Sequence, residues 1–278
     1  MSDIDIDHLR GWIGQDRAVS DVITPRLAAS LAAILDQDPD IGEGAPAPTA
    51  IHWCLAPDIA PMSGLGPDGH PARGGFLPPV PFPRRMWAGG ELRHLDTLRV
   101  GDAVTRHSTI RDVQLKEGRT GRLCFVTVDH SYRTPRGVAI EERQDIVYRE
   151  LEGSGGGARP APAAPEAPAA EESRSIDATP VLLARYSAVT FNGHRIHYDN
   201  PYCRSEEGYP GLIVHGPLQA TYMLDMARRR AGGTLPDVFS FRGVSPLFDG
   251  AAFTVNAAGT DLWIANAEGR KTMAAEVS

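Results

Sequence analysis

Tyr186-Ser187-Ala188-Val189-Thr190-Phe191-Asn192-Gly193-His194-Arg195-Ile196-His197-Tyr198-Asp199-Asn200-Pro201 is the densest polar stretch of the chain, and Gly211-Leu212-Ile213-Val214-His215-Gly216-Pro217 follows it. The first stretch gathers His194, His197, Asn192, Asn200, Asp199 and Arg195. The pattern predicts a strand over 179–189 before it and a helix over 216–230 after it. A polar loop between two rigid elements is a common place to present catalytic groups. The helix has Leu218, Tyr222 and Met226 four apart, with Ala220, Met223, Leu224 and Ala227 widening the apolar stripe. Arg228, Arg229 and Arg230 favour the negative end of its dipole, and Gly232-Gly233 stops it. Gly216 and Pro217 at its start leave backbone N–H groups free, an arrangement that stabilises an anion or a developing oxyanion. Two plainer readings stand beside these. A stretch rich in Asn, Gly and Asp also suits an ordinary turn, and His215 suits a hydrogen-bonded structural histidine at the helix start.

Beyond the helix, strands are expected over 238–244, 252–260 and 262–267, with a short tail to Ser278. Before it, Gly153-Ser154-Gly155-Gly156-Gly157 and the Ala/Pro/Glu run that follows cannot form a packed core and read as a linker. The expected organisation is therefore a first domain over 1–150, a linker over 151–178 and a second domain over 179–278. In the first domain Thr24 suits an N-cap and Pro25 the first helical position, with Leu27, Leu31, Ile34 and Leu35 recurring on one face. A Pro- and Gly-rich loop then runs from about 36 to 84, and loops of that length are usually functional. Strands are expected over 86–95, 103–115, 123–132 and 138–148, separated by turn signals. Each half thus reads as a helix combined with an antiparallel sheet, an α+β arrangement in two lobes. No internal repeat is visible.

The chain has 278 residues and carries 28 basic against 35 acidic side chains, a net charge of −7. That balance disfavours a protein that coats nucleic acid, which needs a basic excess. Lysine is confined to Lys116 and Lys271, so arginine is the general-purpose cation and no single arginine stands out. Cys54, Cys124 and Cys203 are odd in number, far apart and form no CxxC pair. The acidic start, Met1-Ser2-Asp3-Ile4-Asp5, reads as neither a secretory signal nor a transit peptide, and no apolar run reaches the ~20 residues of a membrane span. These features predict a reduced, cytoplasmic protein with no membrane partner.

The chain contains no GxSxG elbow, no GxxxxGK[ST] and no GxGxxG after a strand, which removes support for serine-hydrolase, P-loop and nicotinamide chemistry. His194, His197, His215 and Cys203 do not have the spacing of a known zinc site, and the crowding by Asn, Asp and Arg favours hydrogen bonding. No metal is expected.

The run from Tyr186 through Asn192, His197 and Asp199, followed by His215-Gly216, resembles the hydratase motif of the MaoC-like enoyl-CoA hydratases. His197 falls on the catalytic histidine of that motif. Asn192 stands where the family usually has its catalytic aspartate, and His194-Arg195 where it has Asn-Pro. The whole chain is more similar to one branch, the mesaconyl-C4-CoA (3-methylfumaryl-CoA) hydratases, related to the mitochondrial-type 3-hydroxyacyl-thioester dehydratases. The carriers are 191–199, 208–219, Gly74-Gly75-Phe76-Leu77-Pro78-Pro79 and Arg84-Arg85-Met86-Trp87-Ala88-Gly89-Gly90.

The resemblance implies a double hot dog, with the first lobe degenerate and the single active site in the second. It implies reversible addition of water to a short, branched dicarboxylic enoyl-CoA: mesaconyl-C4-CoA to citramalyl-CoA first, itaconyl-CoA next. A 3-hydroxyacyl-ACP or -CoA dehydratase and a non-catalytic acyl-CoA-binding module are the alternatives. His197 is expected as the acid–base group, suited to neutral pH. Asn192 cannot exchange a proton there and is expected to position the water or the histidine. Gly216 N–H is expected at the thioester oxygen. His194, Arg195, Arg84, Arg85, Tyr198 and His215 are the substrate-binding candidates, with an arginine fork suiting a free carboxylate. Asp199 either orients a histidine or caps a helix. Arg228–Arg230 either meet the CoA phosphates or simply end the helix. No cofactor is expected, since coenzyme A belongs to the substrate, and a homodimer is compatible with the architecture.

Overall fold

The computed structural model describes residues 4–38, 40–118, 121–149 and 164–278. Five strands come from the first half: β1 (Asp16–Val22), β2 (Arg84–His94), β3 (Ala103–Gly118), β4 (Gly121–Thr134) and β5 (Gly137–Arg149). Five come from the second: β6 (Glu172–Asp177), β7 (Val238–Gly243), β8 (Ala252–Ala258), β9 (Asp261–Ala265) and β10 (Lys271–Val277). They form one 10-stranded antiparallel sheet in the order β1-β3-β4-β5-β2-β7-β10-β9-β8-β6. The halves meet where β2 pairs with β7, Gly90 opposite Phe241 and Leu92 opposite Phe239.

Helices are α1 (Ile6–Arg10), α2 (Pro25–Ile34), α3 (Pro180–Val189), α4 (Asn200–Ser205) and α5 (Gly216–Arg230). α5 starts and stops where its stripe and its glycines predict. Every residue from Leu218 to Ala227 is buried, and the helix packs on β8, β9 and β10 and on β2 across the join. In the first half the described residues contain no helix of comparable length. α2 packs on α3 of the other half, and the end of the long loop takes the place of a helix on the first sheet, with Val80 and Phe82 fully or nearly buried against Ile110, Val126 and Ile146. The expected helix-in-sheet pattern is therefore complete only in the second lobe.

Two expectations are corrected. The segment 179–189 is helix α3, not a strand. Thr179 Oγ1 accepts from Leu182 N at 3.1 Å and Pro180 occupies the first turn, the same start that Thr24 and Pro25 give α2. These two local signals outweigh a run of Val, Leu and Tyr whose spacing fits either structure. The second correction concerns the linker, which was expected to extend to residue 178. β6 already pairs with β8 over residues 172–177, because Ile176 has a buried partner in Phe253 and the polar residues around it suit a sheet edge. The glycine run 153–157 lies outside the described residues. β1 and β10 were not expected at all, and each completes its half of the sheet.

The join bears directly on α5. Trp87 of β2 stacks on Phe241 at 4.5 Å and meets Trp53 edge-on at 5.5 Å. A Cβ on Gly216 would lie 2.9 Å from the Trp87 ring. With Trp87 wedged from two sides, Gly216→Ala is expected to cost about 1–3 kcal/mol of stability, the range for overpacking a filled core. Chemical denaturation of the variant checks this, and an unchanged midpoint would mean that Trp87 is free to move.

Candidate active site

The polar loop begins where α3 ends. Thr190 Oγ1 donates to Tyr186 O at 2.7 Å and Asn192 N to Ser187 O at 2.8 Å, closing the helix, while Phe191 takes a left-handed φ of 51° to make the turn. Asn192 Oδ1 then accepts from His194 N at 2.9 Å, so its side chain shapes the loop from within. Asp199 caps α4 by accepting from Tyr202 N at 3.1 Å and holds Arg195 through two hydrogen bonds of 2.8 and 3.0 Å. Of its two expected roles it has the capping one, and it orients no histidine.

His197 sits on a short 3-10 turn (Arg195–His197) and is buried. Its Nδ1 lies 2.8 Å from Ile213 O. A carbonyl only accepts, so Nδ1 carries the proton and Nε2 keeps its lone pair. The ring stacks on His215, centroids 3.6 Å apart and planes 16° apart. His215 is fully buried and bonded to Ser187 Oγ at 2.9 Å, the structural role its position suggested. His194 meets His197 edge-on at 5.5 Å, and on its other side it meets His70 at 4.0 Å. Burial pushes His197 down to about 4, against a smaller upward effect of Ile213 O. Burial and the neighbouring imidazoles push His194 and His215 down as well. The cluster is neutral at physiological pH.

Sequence reading missed His70. It lies in the long loop of the first half, which is fastened to the polar loop: Arg195 N donates to Asp68 O at 2.9 Å and Arg195 Nη1 to Pro67 O at 3.0 Å. Gly69, at φ +88°, is so close to Gly193 that a Cβ there would lie 2.0 Å from Gly193 O. Only glycine permits this approach. Asp68, His70 and His194 each put one donor atom within 4.8 Å of the others. The length of the loop was the one signal available in the sequence.

A cavity of about 910 Å³ opens beside this cluster. The second half lines it with Ser187, Asn192, Gly193, Arg195, Tyr198 and Pro217, and the first half with His70, Arg85, Arg106, His130, Tyr132 and Gln144. The expected candidates thus separate. Asn192, Arg85, Arg195 and Tyr198 line the cavity, whereas His194, His197, His215 and Gly216 are not lining residues, although Pro217 next to Gly216 is. Arg84 does not line it: Arg84 bonds Glu207 O at 2.6 Å and lies over Tyr209. Arg195 lines it with its guanidinium committed to Asp199. Tyr198 donates to Gly193 O at 2.9 Å. Arg17 and Arg106, also on the wall, share Asp58. Arg85 has no carboxylate within ion-pair distance among the described residues. Arg230 meets Glu171 and Glu172, and Arg228 and Arg229 bond Gly233 O and Asp225, so the triplet ends the helix.

The sequence profile of the hydroxyacyl-thioester dehydratase type 2 family matches residues 50–249. The chain belongs to this family. Its relatives include the mesaconyl-C(4)-CoA hydratase of Chloroflexus aurantiacus, 45% identical over 88% of this chain and 87% of that protein. The fold recurs in a MaoC-like dehydratase from Phytophthora capsici, with a TM-score of 0.68 at 15% identity over 99% of this chain and 98% of that one. It recurs also in a Mycobacterium tuberculosis protein described as a double hotdog fold, with a TM-score of 0.58 at 14% identity over 95% of each chain. The double hot dog expected for this dehydratase family member is therefore its architecture. Among its described residues no helix is long and apolar enough to cross a membrane.

Proposed function

We propose that the protein is a hydro-lyase that adds water reversibly across the double bond of a short dicarboxylic enoyl-CoA, with mesaconyl-C4-CoA giving citramalyl-CoA as its main reaction. The observation that carries this reading is the joint cavity, which Asn192 of the hydratase motif and Arg85 of the opposite lobe both line. The 45% identity to a mesaconyl-C(4)-CoA hydratase supports the choice of substrate. A long-chain dehydratase would call for a wholly apolar acyl tunnel, whereas Arg17, Arg85 and Arg106 line this one.

In this proposal His197 Nε2, which has no protein partner among the described residues, accepts a hydrogen bond from the attacking water and holds it at C3. Asn192, whose Oδ1 is committed to His194 N, offers its NH2 to the same water. As the C–O bond forms at C3, charge moves to the thioester oxygen. The Gly216 N–H at the start of α5 meets it there, the usual answer to a developing oxyanion. Arg85 holds the distal carboxylate. The reaction as written requires no cofactor. A reduced compartment such as the cytoplasm suits Cys54, Cys124 and Cys203, all free and buried.

The test is direct: hydration of mesaconyl-C4-CoA, itaconyl-CoA and crotonyl-CoA by the purified protein, followed by loss of the conjugated enoyl thioester. Turnover of mesaconyl-C4-CoA well above the others is expected. Binding of all three without turnover would leave an acyl-CoA-binding module. Asn192 gives a second check. Asn192→Asp keeps the acceptor for His194 N and is expected to retain measurable activity. Asn192→Ala loses both the loop bond and the contact to water and is expected to lose more, by roughly tenfold, which corresponds to about one hydrogen bond. Wild-type rates for Asn192→Ala would exclude a role at the water.

A further inference from the structure

Asn192 leaves the polar loop without a carboxylate that could share a proton with an imidazole, since Asp199 is occupied by Arg195 and by the α4 cap. The long loop of the first half brings such a couple to the same place. His70 Nδ1 lies 3.0 Å from Asp68 Oδ2, and His70 N donates to Asp68 Oδ1 at 3.1 Å, so ring and backbone are both held by one carboxylate. Against the upward effect of burial, the hydrogen bonds from the His70 ring and backbone N–H hold the Asp68 carboxyl well below the usual range, so it is ionised and only accepts. His70 Nδ1 therefore carries the proton and Nε2 a lone pair. Of the four histidines in contact here, His70 is the one among the described residues that lines the cavity. Its side chain is 17% exposed, close to Arg85 and ring to ring with His194.

We propose that Asp68 and His70 form the acid–base couple of the hydration, with His70 the catalytic residue and Asp68 its positioning partner. This rests on the hydratase reading above and deepens it. As water attacks C3, the water O–H bond breaks and its proton passes to His70 Nε2, while the C2=C3 pair moves toward the thioester oxygen. The His70 imidazolium then returns a proton to C2 as the enolate collapses, and the site is neutral again. His197 holds the other hydrogen of the water. Asp68 favours His70 over His197 as the carrier: a carboxylate stabilises the imidazolium that forms, whereas the partner of His197 Nδ1 is a neutral carbonyl. The charges facing His70 are Asp68 on its own loop, Arg73, Arg85 on β2, and His194 and His197 across the join. Burial and the two arginines pull its pKa below the ordinary value, and Asp68 pushes it back.

The experiment compares the full-length wild type with His70→Ala, His70→Gln and Asp68→Asn on mesaconyl-C4-CoA. Both His70 variants are expected to lose roughly 10²–10⁴-fold in kcat with little change in KM, and to lose the acidic limb of kcat/KM against pH. Asp68→Asn is expected to lose roughly tenfold or more and to move that limb to lower pH, since an amide does not stabilise the imidazolium. His70→Gln keeps the shape of the loop should alanine disturb it. Wild-type kcat and pH profile in His70→Gln and Asp68→Asn, beside an inactive His197→Ala, would overturn the couple and leave the hydratase reading intact. A wild type that hydrates no enoyl-CoA would remove that reading and the couple with it. Activity is expected to survive dialysis against a chelator; a loss that added zinc restores would show that the three donors bind a metal and would overturn the proposal.

Discussion

His197→Ala is expected to lower kcat on the enoyl-CoA substrate by roughly 10²-fold or more, because the attacking water loses the acceptor that holds it in place. The fold and the affinity for coenzyme A should persist, because the ring's one strong protein bond is to Ile213 O and the loop is also held by Asn192, Asp199 and Asp68. His197→Gln keeps an acceptor for the water and should recover part of the loss. His194→Ala is the companion variant. Its ring packs between His70 and His197 and holds neither the proton nor the water in the proposed step, so a smaller loss is expected. Single-turnover kinetics and CoA-binding measurements on the three variants decide the matter. Inactive His194→Ala beside active His197→Ala would exchange the two roles.

Arg85 should decide which acyl group is accepted. A charge pair inside a cleft typically costs 2–5 kcal/mol when one partner is truncated, so Arg85→Ala is expected to lose roughly 10²-fold or more in kcat/KM on mesaconyl-C4-CoA. Crotonyl-CoA has no distal carboxylate and should be hydrated by the variant about as well as by the wild type. Arg85→Lys should recover only part of the loss, since an ammonium cannot make the paired bonds of a guanidinium. Equal losses on both substrates would place Arg85 at the thioester or in the folding of the wall instead.

Much of this arrangement is legible in the residues themselves. The stripe and stop signals of α5, the four long strands of the first half and the polar loop with His197 and Asn192 follow from local patterns. The misses have physical causes. β1 and β6 are the two edges of the sheet; their inward positions are half-buried but hold Arg17, Val19 and Asp21 in one and Arg174 and Ile176 in the other, so the apolar/polar alternation that marks a half-buried strand is missing from the sequence. α3 hides behind a run of Val, Leu and Tyr, yet Thr179-Pro180 repeats the start of α2. Asp68 and His70 are invisible in another sense. More than a hundred residues separate them from Asn192, and nothing local says that Gly69 rests against Gly193. Arg85 could not be chosen from an arginine-rich sequence; it is set apart because Arg17, Arg84, Arg106 and Arg195 each pair with a carboxylate, whereas its own contact is the Tyr148 side chain.

The join of β2 to β7 within one chain has an effect on inheritance. Where two identical lobes pair, any substitution appears on both sides of the seam, and a change that helps one face is imposed on the other. Here the lobes are separate stretches of one gene. The first could exchange a buried helix for a long segment that reaches across to Asn192, while the second kept its helix and its motif. The price is interdependence: a lesion in the Asp68 loop and one in the His197 loop should disable the same centre, and two such defective copies should not complement each other unless lobes pair between chains.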